Sequence, residues 1–151
     1  RSRSLIADAR VAARAQKLTL VGVEVSSAAE VPEAFEGLIG KVDAVWLVPD
    51  ATVVTAQTFK HMLLLSLRER VPLLVFSTAF VRAGALAGVA PDYRAVGEAT
   101  GRIVRSILKG EKPSDIPVQD PPSTILVNRR SAGRLGITID PGSVPGMAIV
   151  E

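Results

Sequence analysis

Two strand-to-helix junctions constrain the fold of this chain more than any other feature. Lys41-Val42-Asp43-Ala44-Val45-Trp46-Leu47-Val48-Pro49-Asp50 is an apolar run that ends in a carboxylate and leads into a long amphipathic segment. Val71-Pro72-Leu73-Leu74-Val75-Phe76-Ser77-Thr78 repeats the plan and ends in two hydroxyls. Near-continuous apolar strands, each followed by a helix, belong to parallel sheets with helices on their faces. The expectation is an α/β domain with an open parallel sheet in three αβα layers. Ligands in such sheets bind beyond the carboxyl ends of the strands. Asp50, Thr52, Ser77 and Thr78 are therefore the first candidates for function.

The rest of the chain continues this alternation. Ser2 to Ala15 carries Leu5, Ile6, Ala9, Ala12 and Ala13 on one helical face. Leu18 to Val25 is rich in β-branched residues and reads as the first strand. Ser27 and Glu30 match a capping box opening a helix through Val31, Ala34, Phe35 and Leu38, stopped by Gly40. The strand Ala44 to Val48, a helix from about Val53 to Arg70 and the strand Leu73 to Phe76 follow. A helical turn at Ala79 to Arg82 stops at Gly84, and Ala85 to Val89 is a fourth, weaker strand. Asp92 is placed to cap a helix from Tyr93 to Lys109, ended by Gly110. Glu111 to Pro122 holds four prolines and reads as an extended connector. Thr124 to Val127 is a last short strand, and Asn128 caps a short helix to Leu135, closed by Gly136. From Asp140 onward little fixed structure is expected. The division is a ligand-binding lobe over 1–110, a connector and returning strand–helix segment over 111–139, and a tail over 140–151.

Composition excludes more than it selects. The chain has 151 residues and no cysteine, which removes disulfide scaffolds, thiolate metal sites and cysteine nucleophiles. Its net charge of +3 comes from 18 basic against 15 acidic residues. The basic residues fall in Arg1 to Lys17, Arg94 to Lys109 and Arg129 to Arg134, with no interleaved aromatics to stack bases. They read as solvated helix faces, and no nucleic-acid partner is expected. No run approaches the ~20 apolar residues of a membrane span. The chain starts at Arg1 rather than Met and shows no apolar leader core, so a piece of a longer product is expected. His61 is the sole histidine. The inward face of its helix should carry Ala56, Phe59, Leu63 and Leu67. His61 then sits about 200° round from Phe59 and faces solvent. No zinc site or Ser-His-Asp triad is expected on it. The chain contains no Walker loop and no GxGxxG, and Gly84 and Gly88 read as turn and strand punctuation. Trp46, alternating with Ala44 and Val48, is expected in the core.

Several stretches, taken in order, carry a resemblance. They are Val25-Ser26-Ser27-Ala28-Ala29-Glu30-Val31-Pro32, Lys41-Val42-Asp43-Ala44, Val48-Pro49-Asp50-Ala51-Thr52-Val53 and Arg82-Ala83-Gly84-Ala85-Leu86-Ala87. Asp92-Tyr93, Gly97, Ile107-Leu108-Lys109-Gly110-Glu111-Lys112-Pro113, Asp115-Ile116-Pro117-Val118 and Leu135-Gly136-Ile137-Thr138-Ile139 continue them. From about Leu5 to Ile139 the chain resembles the substrate-binding components of bacterial ABC transporters, in the group that includes tryptophan- and tyrosine-binding lipoproteins. The resemblance implies a periplasmic-binding-protein-like (type I) fold: two α/β lobes joined by crossover strands, with ligand closed between them. Only the second lobe and the returning C-terminal segment match. The strand expected ahead of Ser2 is missing, and Thr124 to Val127 would return to the absent first lobe. The chain is then a fragment, or a domain completed by another segment or chain, and association of the isolated chain as a homodimer is expected.

The resemblance further implies a non-enzymatic solute-binding protein of an ABC importer, periplasmic or membrane-anchored outside the cytoplasm. Its partners would be a small amino-acid-like or other polar solute and an ABC permease, with no cofactor and no metal. Asp50, Thr52, Ser77, Thr78, Asp92 and Tyr93 are the ligand-binding candidates. Ala51 replaces the amide of the usual Asp-Asn-Thr, and Thr78 stands where an acid is usual, so two polar groups of the pattern are absent. Asp50 reads equally as a ligand acceptor or a helix cap, and Ser77 as a contact or a turn. Tyr93 reads as a stacking ring or packing, while Phe80 reads as core packing or cleft lining. The alternatives are the effector domain of a transcriptional regulator or signalling receptor, and a flavodoxin-like enzyme domain.

Overall fold

The computed structural model describes residues 2–151, with side chains from Ser4 onward; Arg1 of the basic N-terminal cluster lies outside the described residues. Five strands form one sheet in the order β1 (Val45–Trp46), β2 (Leu73–Val75), β3 (Ala87–Pro91), β4 (Ser123–Asn128) and β5 (Met147–Val150). β1, β2 and β3 are mutually parallel, β4 is antiparallel to β3, and β5 is parallel to β4. The fold is α/β with a mostly parallel sheet. Two C-terminal expectations change. β4 joins this lobe's own sheet rather than leaving it, and the tail after Asp140 contributes β5, whose edge pairs with Ile125 through Asn128.

The helices form where the caps put them. α1 is Ser2–Ala15. α2 (Val31–Glu36) follows a 3-10 turn at Ala28–Glu30 and buries Val31 and Phe35. The expected capping box does not form: Glu30 accepts from the Ser26 N–H and the Ser27 hydroxyl rather than the Ser27 N–H, and the Ser27 side chain caps nothing. Those two hydrogen bonds, the backbone one foremost, hold the Glu30 carboxyl below the usual carboxylate range. A depressed folded-state pKa gives stability that is present above the unfolded value and lost as pH falls through the folded value. Glu30→Gln should therefore flatten the acid limb of a stability profile below about pH 5. Superimposable profiles for the two proteins would refute this assignment.

α3 (Ala56–Glu69) starts at Thr55, in a reciprocal box with Thr58, rather than at Val53. Its buried face is Thr58, Phe59, Met62, Leu65 and Ser66, with Leu63 and Leu67 flanking, and Ala56 is exposed. The inward stripe is thus rotated from the expected one by a fraction of a turn. Consecutive apolar residues from Met62 to Leu65 leave the phase of the stripe undetermined. Rotation brings His61 half-buried against α2, with Nε2 3.7 Å from Glu36 Oε1, instead of facing solvent. α4 (Thr78–Ala83) ends at Gly84, where φ is +125°. α5 (Tyr93–Leu108) and α6 (Arg129–Leu135) follow, α6 closing at Gly136 with φ +74°.

The core lies on one face of the sheet. Val45, Leu47, Leu73, Val75 and Leu126 pack there with Phe35, Phe59, Met62 and Val81 of the helices. Phe80 also packs inward, its ring 4.3 Å from Phe59 and 5.6 Å from Phe76 between centroids. Trp46 is a correction. The Val45 face of β1 is the covered one, so Trp46 points the other way and stays 38% exposed. Neither α1 nor α5 buries a residue completely among those described.

Leu18–Val25 is the second large departure. It carries no regular secondary structure and enters no ladder. A strand is defined by the neighbour that takes its hydrogen bonds. The nearest edge, β1, lies across a groove of about 670 Å³.

Candidate functional site

Because β1, β2 and β3 run the same way, the turns that follow them emerge at one end of the sheet. Asp50 follows β1 by four residues, Ser77 follows β2 by two, and Asp92 follows β3 directly. All six candidates therefore belong to turns at the carboxyl end of the parallel strands. Their side chains behave differently from one another.

Asp50 is half-buried and lines the groove beside β1. Its Oδ1 accepts from the Thr52 N–H at 2.8 Å, and its carbonyl accepts from the Val54 N–H at 2.8 Å. It closes a turn of its own; the helix cap expected of it is made by Thr55. Thr52 is exposed in the same turn.

Ser77 is the N-cap of α4, its hydroxyl oxygen accepting from the Ala79 N–H at 3.2 Å. The hydroxyl proton keeps its donor capacity. Thr78, half-buried, is the first residue of α4. The turn is held rigidly because Phe76 and Phe80 on either side pack edge to face.

Asp92 caps α5 as its sequence position indicates, Oδ1 accepting from the N–H groups of Arg94 and Ala95 at 3.1 Å each. A carboxylate at a helix N-terminus is stabilised by the orphan amides and the dipole together. Tyr93 opens the helix with its side chain out; the residue is 77% exposed. Packing does not cover the ring, so it is available to a molecule approaching this end of the sheet.

One residue at this end escaped sequence reasoning. Glu24 closes the apolar run Leu20 to Val23 and lines the groove with Asp50. Its position after an apolar run is the same signal that pointed to Asp50. No group of three or more His, Asp or Glu side chains suited to a metal ion occurs among the described residues.

Comparison with known proteins agrees with this architecture. Residues 1–144 match the family described as ABC transporter substrate binding protein. A tyrosine-binding protein of Clostridioides difficile (strain R20291) is 28% identical over 105 residues, covering 69% of this chain and 30% of that protein. An ABC domain from Streptococcus pneumonia, solved in complex with L-Trp, is 30% identical with a TM-score of 0.75, over 99% of this chain and 52% of that one. A ligand-free, open substrate binding protein from Clostridium difficile shares the fold at 24% identity and a TM-score of 0.82, over 99% of this chain and 50% of its own. The chain thus spans about half the length of the solved proteins it matches. By the match over nearly its whole length, this chain belongs to the ABC transporter substrate binding protein family.

Proposed function

We propose that the chain is the second lobe of a two-lobed, extracytoplasmic solute-binding protein that holds a small amino-acid-like ligand and presents it to an ABC permease. The observation that carries this reading is the delivery of three polar turns to one end of the parallel strands. In an open α/β sheet that end is where ligands sit. Each turn offers a different chemistry there. Asp50 and Asp92 offer carboxylates suited to an ammonium group, Ser77 and Thr78 hydroxyls suited to a carboxylate, and Tyr93 an uncovered ring. The amino acids bound by the relatives combine an ammonium, a carboxylate and an aromatic ring. Ligand contacts made by both lobes would favour the closed state, so closure follows binding as a population shift. The role is binding rather than catalysis. No helix among the described residues is long and apolar enough to cross a membrane.

Titration calorimetry of the full-length protein with L-tryptophan and L-tyrosine tests the reading. Losing one hydrogen bond to a buried polar ligand costs about 0.5–1.5 kcal/mol. Ser77→Ala and Asp50→Ala should each weaken binding about 2- to 10-fold. Thermal melts run alongside separate a lost contact from a lost turn. Unchanged affinity in both variants would remove this end of the sheet as the site.

A further inference from the structure

Cations gather at the end of the sheet opposite the candidate site. β4 is antiparallel to β3, so it finishes where the parallel strands begin. Two backbone hydrogen bonds fix the level. The Leu86 N–H donates to the Leu73 carbonyl at 3.0 Å, and the Asn128 N–H donates to the Leu86 carbonyl at 2.8 Å. Leu73 is the first residue of β2. α4 therefore ends, and α6 begins, at the amino end of the parallel strands. α3 ends there too, because Arg70, its C-cap, stands just ahead of Val71-Pro72-Leu73.

Arg70 from α3, Arg82 from α4, and Arg129, Arg130 and Arg134 from α6 are all exposed. None of them makes an ion pair among the described residues. The neighbouring acid, Glu69, is taken by Arg68. No Asp or Glu occurs between Asp120 and Asp140, a span that includes all of β4 and α6. The backbone beneath the arginines is tied down: Asn128 Nδ2 donates to the Val81 carbonyl at 2.9 Å, and the Ser131 hydroxyl to the Gly84 carbonyl at 2.7 Å. These bonds hold the segment carrying Arg82 against the one carrying Arg129 and Arg130. The far end of the sheet carries Asp50 and Asp92, so the lobe is polarised along its strands.

Like charges on one face repel, and an anionic surface relieves that repulsion. The same repulsion argues against a second copy of this chain docking through this face. A guanidinium is weakly hydrated and holds phosphate through two parallel N–H groups. Here the groups come from three helices and stand in solvent, so they form no enclosed cradle for one small anion. A layer of phosphates suits them better. Ile137, just past α6 and 37% exposed, adds an apolar side chain to lie among headgroups.

We infer that this arginine face docks the protein on an anionic phospholipid surface, with the guanidinium groups on the lipid phosphates. On the reading proposed above, the solute occupies the opposite end of the sheet, which docking leaves open to solvent.

Sedimentation of the full-length protein with vesicles tests this. Phosphatidylglycerol vesicles should bind at least about 10-fold better than phosphatidylcholine vesicles, and ~0.5 M salt should abolish the preference. Each basic residue near such a surface contributes up to about 5-fold, so Arg129→Gln with Arg130→Gln should weaken binding to phosphatidylglycerol roughly 10- to 25-fold. Both side chains are exposed, so the melting temperature should not move. Arg94→Gln with Arg102→Gln removes the same charge from α5 and should bind like the parent. Equal loss in both pairs would assign the attraction to net charge and overturn the inference. Competition by inorganic phosphate at matched ionic strength would overturn it in favour of a free anion. Binding to polyglutamate without binding to vesicles would overturn it in favour of an acidic protein partner. No solute is added, so failure here leaves the solute-binding reading standing, and failure of that reading leaves vesicle binding unchanged.

Discussion

Gly88→Ala should destabilise the fold by about 1–3 kcal/mol, lowering the melting temperature by roughly 3–10 °C for a chain of this size. Gly88 sits in β3 opposite Val75 of β2. A Cβ built on it lies 2.6 Å from the Val75 carbonyl oxygen and 3.0 Å from both the Val75 and Val81 Cγ2 atoms. The nearest neighbour is backbone, and that backbone is held by the β1–β2 and β2–β3 ladders. The two methyl groups belong to side chains buried in the core. None of the three has room to retreat, so the added carbon must bend β3 away from β2. Gly97→Ala is the matched control. Gly97 lies within α5, and a methyl group added there would meet nothing within 4 Å, so alanine should raise stability by up to about 1 kcal/mol. Thermal melts of the two variants should move in opposite directions. A Gly88→Ala protein that melts with the parent would disprove the close approach of β3 to β2.

The pair of glycines also shows what is legible in the sequence. Signals that act within a few residues are readable: α1 over Ser2–Ala15, the Asp92 cap of α5, and the Asn128 and Gly136 boundaries of α6. Each depends on a side chain and a backbone group close in the chain. Gly88 reads only as strand punctuation, because the Val75 carbonyl that demands glycine belongs to another strand. Trp46 reads as core because alternation gives two faces, not which one is covered. Leu18–Val25 has the composition of a strand, but composition does not supply the neighbour that makes it one. The carboxyl-end turns are legible for the opposite reason. Once β1, β2 and β3 are parallel, every residue after a strand shares one end, and Asp50, Ser77 and Asp92 follow by topology alone. What each side chain does there is a matter of local geometry, and so Thr55 rather than Asp50 caps α3.

Asn128→Ala should cost about 1.5–2.5 kcal/mol, more than a helix cap alone accounts for. Its carboxamide works in two directions. Oδ1 accepts from the Ser131 N–H at 2.9 Å and caps α6. Nδ2 donates to the carbonyl of Val81 at 2.9 Å, near the end of α4 and 47 residues away in the chain. Ser131 adds a second tie of the same kind, its hydroxyl donating to the Gly84 carbonyl at 2.7 Å. Asn128 and Ser131 are buried, so α6 is fixed to the end of α4 by a polar link shielded from water. Removing a cap costs about 1 kcal/mol, and losing the Nδ2 hydrogen bond about 0.5–1.5 more, because the Val81 carbonyl keeps the Gly84 N–H at 3.1 Å. Asn128→Asp separates the two roles. Aspartate keeps the acceptor for Ser131 and suits a helix N-terminus, so a pure cap would tolerate it. It also sets a carboxylate oxygen against the Val81 carbonyl, where two acceptors repel in a dry site. Denaturant unfolding should therefore rank the parent well above both variants, with the aspartate variant no better than the alanine one. An Asn128→Asp protein as stable as the parent would reduce this residue to a cap and break the proposed link between α6 and α4.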